Sequence, residues 1–273
     1  MFFCSLSKQY VYLLNMIKAQ IKKLQKIIKT SFALAKVNFV LRIEGSYLGI
    51  IWYILNPLAM FLIIILIKKH AISNVYIKNY EIYLLIGVIS LNFFKQALST
   101  AINVINSNTN YLKSINNITP EILVMAGLFE SIFSHFFDLI LIVGFMLFYH
   151  LPLLGLILYP VLFFFFIILI LGISFIFATI GVYNKDFNNV WLIITQILFF
   201  LTPVFYVIKK VDYIYIINLF NPLFYFLLIA RSLLMDFTMP PIWAMAGLII
   251  FGAVALVVGL SVFNKYKHEF SER

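Results

Sequence analysis

Six stretches of roughly twenty residues, each dominated by Ile, Leu, Phe and Val, decide what this chain can fold into. They are Leu48 to Ile67, Ile82 to Val104, Ile122 to Tyr149, Pro160 to Val182, Val190 to Ile208 and Ile242 to Phe263. A helix rises about 1.5 Å per residue, so each stretch is long enough for a hydrocarbon layer of about 30 Å. In lipid a backbone must satisfy its own hydrogen bonds, which selects helices over open strands. The expected fold is all-α and integral to a membrane, with six transmembrane helices. Composition agrees: 64% of the 273 residues are hydrophobic and 11% charged, more apolar surface than a water-soluble core can hide.

An even number of spans puts both termini on one side. Lys8, Lys18, Lys22, Lys23, Lys26, Lys29, Lys36 and Arg42 precede the first span, and Lys113, Lys185, Lys265, Lys267 and Arg273 share their side. Lys68, Lys69, Lys78, Lys209, Lys210 and Arg231 fall on the other, while Lys95 lies within the second span. Basic residues collect in the cytoplasm, so both termini are expected there. The net charge of +10 is expected to meet anionic membrane lipid; the basic residues gather on no soluble face, so nucleic acid is not an expected partner.

Residues 18 to 44 interleave lysines with Ile21, Leu24, Ile28, Phe32 and Phe39, the pattern of an amphipathic helix lying in the interface. Residues 1–47 are thus read as a basic cytoplasmic and interfacial segment, 48–263 as one transmembrane domain and 264–273 as a cytoplasmic tail. The first residues, with basic side chains after the apolar ones and no small-residue cleavage site, do not read as a removable signal. Cys4 is the only cysteine, so no intramolecular disulfide is possible.

Breakers refine the picture. Leu153 to Val182 is too long for one upright helix, so Pro160 is expected to start or kink the fourth span. Between spans five and six, "DYIYIINLFNPLFYFLLIARSLLMDF" carries Asn218, Asn221, Pro222 and Arg231. Two half-helices dipping into the outer leaflet suit it better than a seventh span, since broken backbone at membrane depth must pack on protein or line a wet cavity. In the first span, Asn56 and Pro57 mark a protein-facing surface for the same reason, and Gly45 and Gly49 are expected to admit a neighbouring helix.

Ionisable groups at membrane depth are costly and mark candidate sites. In the second span Asn92, Lys95, Gln96, Ser99, Asn103 and Asn106 recur at steps of three and four, forming one polar stripe. In the third, Glu130, Ser131, Ser134, His135 and Asp138 do the same. Lys95 and Glu130 should lie at comparable depth, so an ion pair between them is expected, with contact to a polar substrate as the alternative. Tyr206, Tyr213, Tyr215 and Tyr225 suit either an interfacial belt or a stacking surface for sugar rings. Thr119, Pro120 and Glu121 read as the N-cap and first turn of the third span. No phosphate-binding loop, zinc-protease motif or Cys/His metal spacing occurs, so no cofactor, metal or catalytic residue is expected on this chain.

Several motifs resemble the permease subunits of ABC exporters for bacterial surface polysaccharides: O-antigen, capsule and teichoic acid. In the first span these are Arg42, Ser46, Leu48, Gly49, Trp52, Asn56, Pro57 and Leu58; later come "YLLIGVISLNFF" at 83–94, "PEIL" at 120–123, "VYNKDFNNV" at 182–190, "TPVFY" at 202–206 and "NPLFYFLLIARSLL" at 221–234. The resemblance runs in order from about residue 36 to 263, with a longer, lysine-rich N-terminus and Lys185 where the family usually has Arg. It implies a homodimer in the bacterial inner membrane, bound to two copies of a nucleotide-binding ABC ATPase that holds ATP and Mg and does the hydrolysis. This chain would then be no enzyme but the conduit for a lipid-linked polysaccharide.

The resemblance also assigns roles. Asn110, Tyr111, Leu112 and Lys113 would lie in the helix coupled to the ATPase, with Lys185 and Asp186 as a second contact. Lys95, Gln96, Glu130, Asp138 and Asn56 would follow the substrate path, and Arg42, Tyr47 and Trp52 would stand where a lipid-linked glycan is admitted. Asn221, Pro222 and Tyr225 would form an outer gate. Rival readings are an ABC permease for a drug or lipid, an ion-coupled secondary transporter and a membrane-embedded transferase.

Overall fold

The computed structural model describes residues 2–71, 78–109, 112, 118–208 and 212–270. Among these the secondary structure is helical: α1 (Phe2–Glu44), α2 (Ile51–Ala71), α3 (Tyr80–Ser107), α4 (Pro120–Phe148), α5 (Gly155–Tyr183), α6 (Phe187–Leu201), α7 (Tyr213–Asn218), α8 (Pro222–Leu234) and α9 (Ile242–Tyr266), followed by a 3-10 turn (Lys267–Glu269). Five of these are long and apolar enough to cross a membrane: α2, α3, α4, α5, and α9 with its closing turn. The chain is a multi-pass membrane protein.

The fifth expected span departs from its reading. Its helix stops at Leu201, after 15 residues, which at about 1.5 Å each is short of the hydrocarbon thickness. The cause is local. Proline disfavours helical backbone in the residue before it, and Thr202, which precedes Pro203, is extended at φ −79° and ψ 141°. Pro160 neither starts nor ends α5; the helix begins at Gly155 and runs through it. Gly155 lies so close to α8 that a Cβ there would meet the Leu233 carbonyl oxygen at 2.0 Å.

α3 is the most buried of the long helices and α2 the least. Around α3 the core is largely aromatic: Phe93 and Phe94 face Phe166 at 5.9 and 6.1 Å between ring centroids, and Phe166 stacks on Phe226 of α8 at 3.8 Å. α9 lies against α5 where glycines remove side-chain bulk. A Cβ on Gly259 would meet the Gly172 carbonyl oxygen at 2.1 Å, so only glycine admits this backbone approach. Gly45 and Gly49 sit in the turn from α1 to α2, where Gly49 has φ +45°, a backbone that favours glycine; the atoms nearest an added Cβ at either are in the adjoining stretch from Leu41 to Ser46.

α1 packs along α4. Ser31 and Ala35 are fully buried, Phe32 meets Phe129 and Phe133 edge-on at 5.8 and 5.4 Å, and Phe39 stacks on Tyr53 and Phe137. Away from this contact Lys18, Lys22, Lys23, Lys26, Lys29 and Lys36 are all exposed. The amphipathic pattern is thus present, but its apolar face is partly used against α4.

The segment between α6 and α9 folds as two short helices, α7 and α8, joined by a turn that Asn221 organises. Its side-chain oxygen accepts from the Leu223 N–H at 3.1 Å, capping α8, and its amide donates to Thr202 Oγ1 at 2.7 Å. Pro222 takes the first helical position, where its missing N–H costs nothing.

Candidate functional site

The polar stripe on α3 opens into a cavity of about 660 Å³ between α2, α3 and α4. Asn92, Lys95, Gln96 and Ser99 form one wall, because steps of three and four stack side chains along one helix face. Trp52, Asn56 and Met60 of α2 face them, Ser134 and Asp138 come from α4, and Arg42 closes the α1 end. A second cavity of about 420 Å³ continues past Arg42, Ser99 and Thr100 to Asn103, Ser107, Asn108 and Glu130. A third, about 220 Å³, shares Met60, Asn92 and Lys95 and runs between α3 and α6 to Thr195 and Gln196. Together they follow α3 from Val88 to Asn108, roughly 30 Å at 1.5 Å per residue.

Bonds inside this trough fix its shape. Gln96 Nε2 donates to Ser134 Oγ at 3.2 Å, joining the stripes of α3 and α4, and Ser99 Oγ donates to Asn188 Oδ1 at 2.8 Å. Trp191 Nε1 donates to the Lys95 carbonyl at 3.2 Å, so α6 is held at two points. Asn106 turns away from the cavities and bonds the Gly181 carbonyl of α5 at 2.8 Å, so this member of the stripe serves packing.

The expected Lys95–Glu130 pair does not form. Glu130 instead meets Arg42 Nη2 at 2.5 Å, its side chain 7% exposed against 47% for the guanidinium. Lys95 lines the cavity that α2 faces, whereas Glu130 lies against Arg42 at the end of α1. Among the described residues no carboxylate comes within 4 Å of the Lys95 ammonium, which stands in the trough beside Asn92 and Gln96. Arg42 lies at the junction of the two larger cavities, with donors to spare beyond the one used by Glu130.

Asp138 touches the cavity with one edge and the interior with the other. Its carboxylate lies 3.2 Å from His135 Nδ1, and His135 Nε2 lies 2.9 Å from the Tyr159 hydroxyl of α5. The His135 ring also stacks on Phe163 at 4.5 Å. His135 therefore belongs to a satisfied buried network. Among the described residues no three His, Cys, Asp or Glu side chains group as a metal site requires.

Other expected residues are spread out. Tyr47 is fully exposed in the α1–α2 turn and lines none of these cavities. Tyr225 is buried, its hydroxyl donating to the Leu219 carbonyl at 2.7 Å, and Tyr206 donates to Leu201 at 2.7 Å. Tyr215 packs edge-on against Phe224. Of the four outer tyrosines Tyr213 is exposed, Tyr206 and Tyr215 are half-buried and Tyr225 is buried. Lys185 and Asp186 are exposed in the turn between α5 and α6, and Leu112 packs beside Val104 and Leu123. Asn110, Tyr111 and Lys113 lie outside the described residues. Thr119 is the N-cap of α4 by backbone geometry.

Sequence reasoning noticed Arg231 only as an awkward charge. It is a junction. Nη1 donates to the Pro203 carbonyl at 2.7 Å, and Nη2 to Val204 and Tyr83 carbonyls at 2.9 and 3.2 Å. The guanidinium lies 3.4 Å from the centroid of the Tyr83 ring. It ties α8 to the irregular 202–208 segment, whose Pro203 and Val204 carbonyls it satisfies, and to Tyr83 of α3.

The family description "ABC-2 type transporter" matches residues 30–235. An O-antigen export system permease protein RfbA of Klebsiella pneumoniae is 28% identical over 241 residues, covering 85% of this chain and 89% of the relative. A protein of the same description from Myxococcus xanthus is 22% identical over 237 residues, covering 85% and 90%.

Proposed function

The chain belongs to the ABC-2 type transporter family, and on that premise we propose that it is the permease subunit of an ATP-driven exporter of lipid-linked polysaccharide, an O-antigen foremost, across the bacterial inner membrane. The observation that carries this reading is the trough along α3: amides and hydroxyls interrupted by the Lys95 ammonium, the Arg42 guanidinium and one edge of Asp138, facing Trp52, Asn56 and Met60 of α2. Such a lining exchanges hydrogen bonds with sugar hydroxyls without holding any one of them tightly. The name shared by the relatives supplies the cargo class.

In this reading two copies face each other across α2 and the open side of the trough. α2 is the least buried long helix although it carries one wall of the cavity, as expected of a surface that a second copy completes. Both termini are cytoplasmic. α6 and the 202–208 segment together make the sixth crossing, and α7 and α8 form a re-entrant pair on the outer side, closed by Asn221, Pro222 and Tyr225. Arg42, steadied by Glu130, receives the negatively charged link between lipid and glycan at the cytoplasmic mouth. A separate ABC ATPase, two copies per dimer, binds ATP and Mg and pushes on the 107–119 segment and the Lys185–Asp186 turn; this chain does no chemistry.

Affinity purification from the native host, followed by transport in vesicles, tests the proposal. Co-purification of an ATPase and ATP-dependent movement of lipid-linked glycan support it. Movement driven by an ion gradient without an ATPase contradicts it.

A further inference from the structure

Away from the trough, α1, the start of α4 and the C-terminal turn enclose a separate cavity of about 400 Å³. Lys23, Lys26 and Ile27 come from α1, Pro120 and Ile122 from α4, and Lys267 from the 3-10 turn. It shares no lining residue with the trough. Glu121, its one acidic lining residue, is already engaged: Lys267 Nζ donates to it at 2.8 Å. Among the described residues Lys23 and Lys26 have no carboxylate within 4 Å, and His268 stands beside them. The cavity therefore has a cationic side on which Lys23 and Lys26 meet no carboxylate among the described residues, and an apolar side of Ile27, Pro120 and Ile122.

That pairing of surfaces suits an amphiphile better than a free ion. A free phosphate would use the ammonium groups and leave half-buried Ile27 and Pro120 uncovered, whereas a phospholipid places its phosphate on the lysines and the start of its acyl chains against the apolar side. Basic pockets at the ends of membrane helices take lipid headgroups in this manner. The location agrees, since Pro120 begins a membrane-length helix. The remaining lysines of α1 are not part of it. At 3.6 residues per turn Lys18, Lys22, Lys29 and Lys36 fall within about 40° of arc, with Lys23 and Lys26 off that stripe.

We propose that this cavity binds the phosphate headgroup of an anionic phospholipid, one per chain, clamping α1 against the start of α4 and the C-terminal turn. The site is independent of what the trough carries. Its test is native mass spectrometry of the full chain released from vesicles of phosphatidylcholine and phosphatidylglycerol in equal amounts. The wild type is expected to retain phosphatidylglycerol selectively. Lys23→Ala with Lys26→Ala should lower that retention about tenfold or more, while Lys22→Ala with Lys29→Ala, the same loss of charge, should change it less than about twofold. Lys23→Arg with Lys26→Arg should keep it, which separates loss of the site from loss of fold. Equal losses in the two alanine pairs would reduce the effect to surface attraction and overturn the proposal, as would no loss in either. Inorganic phosphate, titrated calorimetrically onto the detergent-solubilised chain, should not occupy the cavity; if it binds and strips the lipid, the headgroup assignment falls.

Discussion

Arg231 is held by three backbone carbonyls and the face of Tyr83, an arrangement in which the fork of the guanidinium matters as much as its charge. Lysine keeps the charge but cannot span these acceptors. Hydrogen bonds to a charged group contribute about 1.5–3 kcal/mol each, so Arg231→Lys should lower the unfolding midpoint in detergent measurably and Arg231→Met should lower it further; an unchanged midpoint for both would remove Arg231 as a structural junction. Arg42 and Glu130 behave differently, because only one of them is buried. Arg42→Ala strands a carboxylate that is 7% exposed, a cost of about 1–3 kcal/mol. Adding Glu130→Ala should recover most of that stability without recovering transport, a split visible by comparing thermal unfolding with glycan export in the same variants. Sequence spacing identified both Lys95 and Glu130 as functional candidates, yet paired them wrongly. Depth along a helix can be read from residue number, but rotation relative to a third helix cannot, and α1 supplied the partner.

At the scale of elements, the glycine contact between α5 and α9 leaves no room for a side chain. Gly259→Val should cost about 1–3 kcal/mol through overpacking and reduce the folded yield in membranes, whereas Gly144→Ala, with nothing within 4 Å of its added carbon, should be silent. Asn221→Ala removes the α8 cap and the bond to Thr202, with about 1 kcal/mol expected for the cap alone; thermal unfolding checks it. Five of the six expected spans, α2, α3, α4, α5 and α9, were legible because long apolar runs admit one solution in lipid. The fifth was not, since the apolar run continues through Pro203 while the helix does not. Hydropathy measures the solvent a residue prefers, and Thr202–Pro203 fixes backbone shape. That the segment holds two short helices was legible for the complementary reason: Asn221–Pro222 states a cap and a first turn in the sequence itself.

For the molecule as a whole, the account rests on the trough between α2, α3 and α4 serving as the path for a polar chain. Apolar periodicity indicated which residues share a face of α3, and the polar stripe was visible; that α2 stands opposite, and that Asn106 and His135 leave the stripe for packing, required the assembled fold. The most direct test reconstitutes the chain with its ATPase in vesicles and follows ATP-dependent movement of lipid-linked glycan for Asn92→Leu with Gln96→Leu, which line the trough, and for Ile250→Ala, exposed on α9. The account predicts that the double variant assembles with the ATPase and hydrolyses ATP but moves at least about tenfold less glycan, more than 1.4 kcal/mol of lost transport efficiency, while Ile250→Ala moves as much as wild type. Export at wild-type rate through the double variant would contradict it.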